Sequence, residues 1–152
     1  DNSREIIHHF KYNGQITLSH FLVEKMYQSF IREGFPTPAL VTTVPMHWLK
    51  KWQRGYNQAE VLAQNLATRL NAPYSLLIKR RHWASAQALK NRRQRLKNIL
   101  QVFEIPEKQK VPNGAILLVD DVMTTGATLT VCSKLLIDKG ARQIYVLTAA
   151  RG

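Results

Sequence analysis

The chain has 152 residues, 45% of them apolar, and carries 22 lysines and arginines against 10 aspartates and glutamates, a net charge of +12. That length suits one domain with a core of its own, and no apolar run is long enough to cross a bilayer or to start a secretory leader, so no membrane insertion and a cytoplasmic location are expected. The single cysteine, Cys132, excludes an internal disulfide and a thiolate metal site, while the excess of positive charge calls for a polyanionic partner.

Ile6, Ile7 and Phe10 give a short helical face that ends at Asn13-Gly14. Leu18, Phe21, Leu22, Met26 and Phe30 then recur at helical spacing up to Gly34, and Pro36 and Pro38 forbid continuation. This helix is expected to cover one face of a sheet. Leu40-Val41-Thr42-Thr43-Val44 reads as a buried strand stopped by Pro45, followed by a loop from Met46 to Tyr56 that holds His47, Lys50, Lys51, Arg54, Trp48 and Trp52. Asn57 with Glu60 three residues later is a capping-box start, and Val61, Leu62, Leu66 and Leu70 form the face of the helix that follows. Asn71-Ala72-Pro73 ends it, and Leu76-Leu77-Ile78 is read as a short third strand.

From Lys79 to Lys97 there is little apolar periodicity, which predicts an exposed loop and a short basic helix. Ile99 to Ile105 alternates as an edge or hood strand, limited by Pro106. Pro112-Asn113-Gly114 turns the chain into Ile116-Leu117-Leu118-Val119, apolar on both faces and therefore a buried parallel strand. Asp120 and Asp121 follow, then a Thr/Gly turn, then a helix with Leu129, Cys132, Leu135 and Leu136 on its face and Gly140 closing it. Gln143 to Thr148 is one more buried strand. The alternation predicts an α/β fold with a doubly wound, mainly parallel sheet and flanking helices.

The two carboxylates and the turn thus fall at the carboxyl end of a strand, where open α/β sheets bind ligands. Backbone N–H groups of Thr125 to Thr128, at the positive end of a helix, suit a phosphate, and the threonine hydroxyls add donors. Asp120 and Asp121 suit sugar hydroxyls or a cation instead. This stretch resembles the 5-phosphoribosyl-1-pyrophosphate (PRPP) motif of type I phosphoribosyltransferases. The resemblance implies that Asp120 and Asp121 hold the ribose and that Met123, Thr124, Thr125, Gly126, Ala127 and Thr128 hold its 5′-phosphate. It also implies a pyrophosphate loop at Pro45, Met46 and His47, and Mg²⁺ carried in with PRPP, sited at Asp120 and Asp121 largely through the ligand.

Further blocks match one branch of that fold. Val44-Pro45 with Arg54-Gly55-Tyr56-Asn57-Gln58 looks like the first block of the ComF/GntX family, linked to DNA uptake in bacterial competence. Ala84-Ser85-Ala86-Gln87 with Arg93, Arg95, Leu96, Asn98 and Val102-Phe103 resembles its second, and His9-Phe10-Lys11-Tyr12-Asn13-Gly14 extends the likeness over nearly the whole chain. One phosphoribosyltransferase-like domain over 1–152 is expected, with a small basic hood. The branch often carries an N-terminal four-cysteine zinc module; this chain, whose first residue is Asp1, holds none of it and no zinc, leaving that module either upstream or never present.

Between Glu60 and Glu104 no acidic residue occurs, while the segment contributes nine cations from Arg69 to Lys97. Arg80, Arg81, Arg92, Arg93, Arg95 and Lys97, with Trp83 among them, are the candidate contacts to single-stranded DNA. Each tryptophan taken singly is better explained by packing in a hood or dimer contact. Asn57 is foremost a helix cap, and Arg54 is a candidate catalytic cation whose planar fork suits pyrophosphate. Where some nucleobase transferases place an acid, this chain has Thr124. Two readings follow: a DNA-uptake protein of natural transformation that keeps a PRPP pocket, acting with other uptake-machinery proteins, and a working, pyrophosphate-releasing transferase on a nucleobase or nucleotide, with Asp120, Asp121 and Arg54 catalytic.

Overall fold

The computed structural model describes residues 5–7, 17–46, 57–81, 102–123 and 125–151. After a helical turn at 5–7, helix α1 spans Thr17–Arg32 and strand β1 spans Leu40–Thr43. Helix α2 (Gln58–Arg69) follows, then a two-stranded ribbon of β2 (Lys79–Arg80) and β3 (Phe103–Glu104). Strand β4 (Ala115–Met123), helix α3 (Ala127–Asp138) and strand β5 (Gln143–Arg151) complete the described elements. The main sheet has the order β1-β4-β5, all parallel, with Leu40 opposite Ile116 and Ile116 opposite Ile144.

Period-two alternation divides the core between the two faces of β4. Leu117 and Val119 point into a cluster with Leu62, Ala63 and Leu66 of α2 and with Leu22, Met26 and Phe30 of α1. Ile116 and Leu118 point the other way, into a cluster with Leu129, Cys132 and Leu136 of α3. All four of these β4 residues are fully buried, as the uninterrupted apolar run requires of a central parallel strand. The expected strand there is longer than its apolar core: β4 continues through both aspartates to Met123.

The winding direction reverses beside β4. From β1 the chain passes through α2 to Tyr74, whose bridge to Val41 runs parallel on the outer edge of β1. From β4 it passes through α3, on the opposite face, to β5 on the other side. The neighbouring strands β1 and β4 therefore flank the point from which the chain winds outward both ways, and their carboxyl ends flank the crevice in which such sheets hold ligands.

Three expectations are corrected. Leu76–Ile78 is not a strand: Leu77 and Ile78 are buried, but the Leu77 N–H goes to the Thr42 Oγ1 at 3.3 Å, a side-chain acceptor, and the ladder begins only at Lys79. Lys79 and Arg80 accordingly belong to the ribbon and not to the loop, and the described part of the strand expected over 99–105 pairs only at Phe103–Glu104. Finally, β5 is longer than expected and half exposed: as the edge of the described sheet it buries Leu147 and Ala150 but leaves Val146 37% exposed.

Helix limits follow local chemistry. Asn57, extended at φ −95° and ψ 114°, caps α2 by accepting from the N–H groups of Ala59 and Glu60 at 3.1 and 3.4 Å. The chain leaves α2 through Asn71 in the left-handed region at φ 52°, and Gly140 at φ 112° ends α3.

Candidate functional site

The residues at the carboxyl edge of the sheet come from three elements. Pro45 and Met46, half-buried, follow β1 directly; Asp120 to Met123 end β4; Thr125 to Thr128 turn into α3. Asp120, Val122, Met123, Thr125, Gly126, Ala127, Thr128 and Leu129 line one hollow of about 50 Å³ that opens to solvent. The structure thus brings together the first aspartate and the expected phosphate turn. Asp121 is half-buried beside that hollow and is not among its lining residues.

The acid pair breaks the alternation of β4. Asp120 Oδ1 accepts the backbone N–H of Asp121 at 2.8 Å, and Asp121 Oδ1 accepts that of Val122 at 2.7 Å. Each carboxylate thereby accepts from the backbone N–H of the next residue, a local side-chain-to-backbone bond within reach of a short acidic side chain. Beyond this point Val122 packs with the α1/α2 cluster and Met123 with the α3 cluster, although strict alternation from Val119 would send them the other way. A carboxylate has several lone-pair sites and can accept from a backbone N–H and from sugar hydroxyls or a cation together.

Gly126 makes the turn possible. It sits at φ 77° and ψ 0° as the N-cap of α3, a left-handed conformation that a Cβ resists. With no side-chain cap on α3, the first intrahelical bond is Thr130 N–H to the Gly126 carbonyl at 2.9 Å, reinforced by Thr130 Oγ1 at 2.9 Å. The N–H groups of Thr128 and Leu129 therefore have no carbonyl partner within the helix. Thr125 Oγ1 accepts from the Ala127 N–H at 3.3 Å, and no acidic residue lies in the first turn. Unspent N–H donors, hydroxyls and the positive end of a twelve-residue helix are a phosphate's requirements.

On the far side of α3's first turn lies Cys132, fully buried. Burial, with the Asp120 carboxylate adding to it, pushes its thiol from 9.0 up to about 12. It is a small apolar core residue, as its place on the helix indicates.

Of the cations expected to meet DNA, two are described. Arg80 is half-buried above the Phe103 ring, at 5.7 Å from its centroid, and burial holds its guanidinium below the ordinary range. Arg81 pairs with Glu104 at 3.2 Å. Both sit where the basic segment begins: Arg81 N–H donates to the Val102 carbonyl at 2.8 Å, so the chain leaves and re-enters the described fold at one place. His47, Arg54, Trp48, Trp52, Trp83, Arg92, Arg93, Arg95, Lys97 and Thr124 lie outside the described residues. In the first family block, Asn57 is the helix cap and Gln58 is fully buried behind it.

One cation at this edge was not singled out from the sequence. Arg151 ends β5 in register with Met123, immediately before the phosphate turn, and is exposed. Ending the last strand at Thr148 hid it; carrying the β-rich run three residues further would have exposed the relationship.

With a parallel sheet wound both ways from β1 and β4, and an acid pair and a Gly-containing helix turn at its carboxyl edge, a family profile for the phosphoribosyl transferase domain matches residues 57–152. The chain belongs to the phosphoribosyl transferase domain family. Its branch is that of the ComF-type competence proteins: it is 36% identical to Competence protein F of Haemophilus influenzae, over 96% of this chain and 66% of that protein. It is 31% identical to Competence protein ComFC of Streptococcus pneumoniae, over 97% of this chain and 63% of that protein. The chain therefore spans about two thirds of the length of these curated relatives. Among solved structures, the glutamine PRPP amidotransferase of B. subtilis, complexed with ADP and GMP, superposes on 84% of this chain and 26% of its own with a TM-score of 0.58 at 16% identity, a likeness of fold.

Proposed function

We propose that this domain binds PRPP, or another ribose 5-phosphate ligand, at the carboxyl edge of β1 and β4, and that it serves DNA uptake by binding single-stranded DNA through its basic segment. One observation carries the first half: Asp120 and Thr125 to Thr128 line the same hollow at the reversal point of the sheet. The ribose hydroxyls would bond to Asp120 and Asp121, and the 5′-phosphate would lie on the turn at the start of α3.

A divalent cation fits this donor set in a limited way. Hard carboxylate oxygens suit Mg²⁺, yet among the described residues no three His, Cys, Asp or Glu side chains cluster as a ready cage. Asp120 and Asp121 would supply one or two ligands, and the phosphates of PRPP the others. Such an ion would neutralise charge on the departing pyrophosphate.

The DNA half rests on the relatives and on charge. The matched proteins bear competence names, and the nine cations between Arg69 and Lys97 face no acid until Glu104. No described helix is long and apolar enough to cross a membrane; a cytoplasmic setting beside the uptake machinery is part of the same proposal.

A second reading, turnover with pyrophosphate release onto a nucleobase or nucleotide, is favoured by the complete stretch from Asp120 to Thr128. Measuring pyrophosphate release from PRPP and Mg²⁺ with a panel of bases, nucleotides and DNA separates the two. Binding of PRPP without release supports a retained ligand site; release with one acceptor establishes a transferase; absence of saturable PRPP binding overturns both.

A further inference from the structure

The Thr43 hydroxyl, fully buried at the end of β1, donates to the Val119 carbonyl at 2.9 Å. The same carbonyl also accepts the Val44 N–H, at 3.2 Å. Val119 immediately precedes Asp120, and Thr43 is its register partner across the ladder. Pro45 has no N–H and cannot extend the pairing. The two strands therefore part here, one into Pro45 and Met46, the other into the acid pair, and the doubly accepting carbonyl is the tie nearest the fork. From this we infer that Thr43 is a positioning residue of the ligand site: its hydroxyl fixes the spacing between the loop that follows β1 and the aspartates that follow Val119.

This inference rests on the PRPP reading above, because only a ligand spanning both strand ends requires that spacing. Ribose 5-phosphate alone engages the β4 side, where the acids and the turn lie. On the same reading the pyrophosphate of PRPP would extend toward the end of β1, where Pro45 and Met46 follow. A clamp at the fork consequently matters more for PRPP than for ribose 5-phosphate. The hydroxyl is not needed merely to satisfy Val119, since the Val44 N–H already occupies that acceptor, and valine matches threonine in shape. Thr43→Val therefore removes one bond without orphaning a buried group.

The test uses the full chain as wild type, Thr43→Val and Thr43→Ser, titrated calorimetrically with PRPP and with ribose 5-phosphate in Mg²⁺, each variant also being melted thermally. Thr43→Val is expected to bind PRPP roughly 3- to 10-fold more weakly, the range that losing one hydrogen bond produces. Its affinity for ribose 5-phosphate should change by less than about twofold, and Thr43→Ser, which keeps the hydroxyl, should stay within about twofold of wild type for PRPP by the same reasoning. A purely structural role would lower the melting temperature and leave the ratio of the two affinities unchanged; that result overturns the inference, as does a serine variant as weak as valine. If Thr43→Val fails to accumulate, Thr43→Ala takes its place in the same comparison. Wild type that binds neither ligand overturns the PRPP reading and this inference with it, an outcome distinct from a Thr43→Val protein that binds both as wild type does.

Discussion

Asp121 donates its backbone N–H to Asp120, whose Oδ1 lies 2.8 Å away, and Asp121 Oδ1 repeats the arrangement with Val122 at 2.7 Å. The pair thus has a structural duty at the end of β4, performed by its Oδ1 acceptors, beside the ligand role proposed for its charge. Asparagine retains the Oδ1 acceptor but loses the charge, so it separates the two. Changing Asp120 and Asp121 together to Asn is expected to weaken PRPP binding by about 10-fold or more, since charge-assisted hydrogen bonds become neutral ones. The thermal midpoint should change little. Calorimetry and melting on the same protein check this, and unchanged affinity removes the pair from the site.

Gly126 is the N-cap of α3 at φ 77°, and among the described residues a Cβ added there would meet only the Met123 sulfur, at an ordinary 3.8 Å. Space is therefore available, and the penalty of Gly126→Ala is backbone strain, about 1–2 kcal/mol. Urea unfolding should show that loss, and trimming Met123 to Ala in the same chain should not restore it. Recovery on trimming would show a steric cause instead.

How much of this was legible beforehand depends on whether local pattern or tertiary pairing decided each element. The apolar run 116–119, the Asn57 cap and the Gly140 stop are local, and they stand where the sequence placed them. Leu76–Ile78 has a strand's composition, yet its Leu77 N–H is claimed by Thr42, a partner 35 residues away that no local window contains. The exposure of β5 depends on its being the edge of the described sheet, again a property of neighbours. At the site, Asp120 and Thr125 to Thr128 were legible because the chemistry is contiguous in sequence. Thr43 left a fainter trace: a hydroxyl inside a buried strand needs a partner, which the sequence cannot name.

Cys132 supplies a stability term with a definite sign. In the fold its thiol stays protonated to about 12, whereas in the unfolded chain it ionises from its ordinary 9.0. Between those values the folded state binds more protons than the unfolded one. The contribution is thus complete below pH 9.0 and is lost as pH rises toward about 12, at up to about 1.4 kcal/mol per pH unit. Denaturant midpoints measured from pH 8 upward should fall less steeply for Cys132→Ala than for wild type. Parallel profiles would mean that the thiol is accessible, and alkylation of the native protein by iodoacetamide would then confirm it.

The DNA-binding proposal makes its sharpest demand on salt dependence. The described residues on either side of the basic segment, Arg81 and Val102, are joined by the Arg81 N–H bond, and the Arg81–Glu104 pair and Arg80 over Phe103 reinforce that junction. Arg81 and Arg80 are thus partly engaged, which leaves Arg92, Arg93, Arg95 and Lys97 as the cations on which phosphate contacts chiefly depend. Each phosphate contact with single-stranded DNA contributes about −0.7 to the slope of log affinity against log salt. Changing Arg92, Arg93 and Arg95 together to Ala should flatten the slope by roughly two units, while Trp83→Ala, if the ring stacks a base, should cost about 1–3 kcal/mol at every salt concentration and leave the slope nearly unchanged. The two variants report different physics, neutralised charge in one and a lost stacking platform in the other. Fluorescence anisotropy with a labelled oligonucleotide across a salt series measures both. One shared slope for wild type and the triple variant would make the basic segment a solvated face and give the transferase reading precedence.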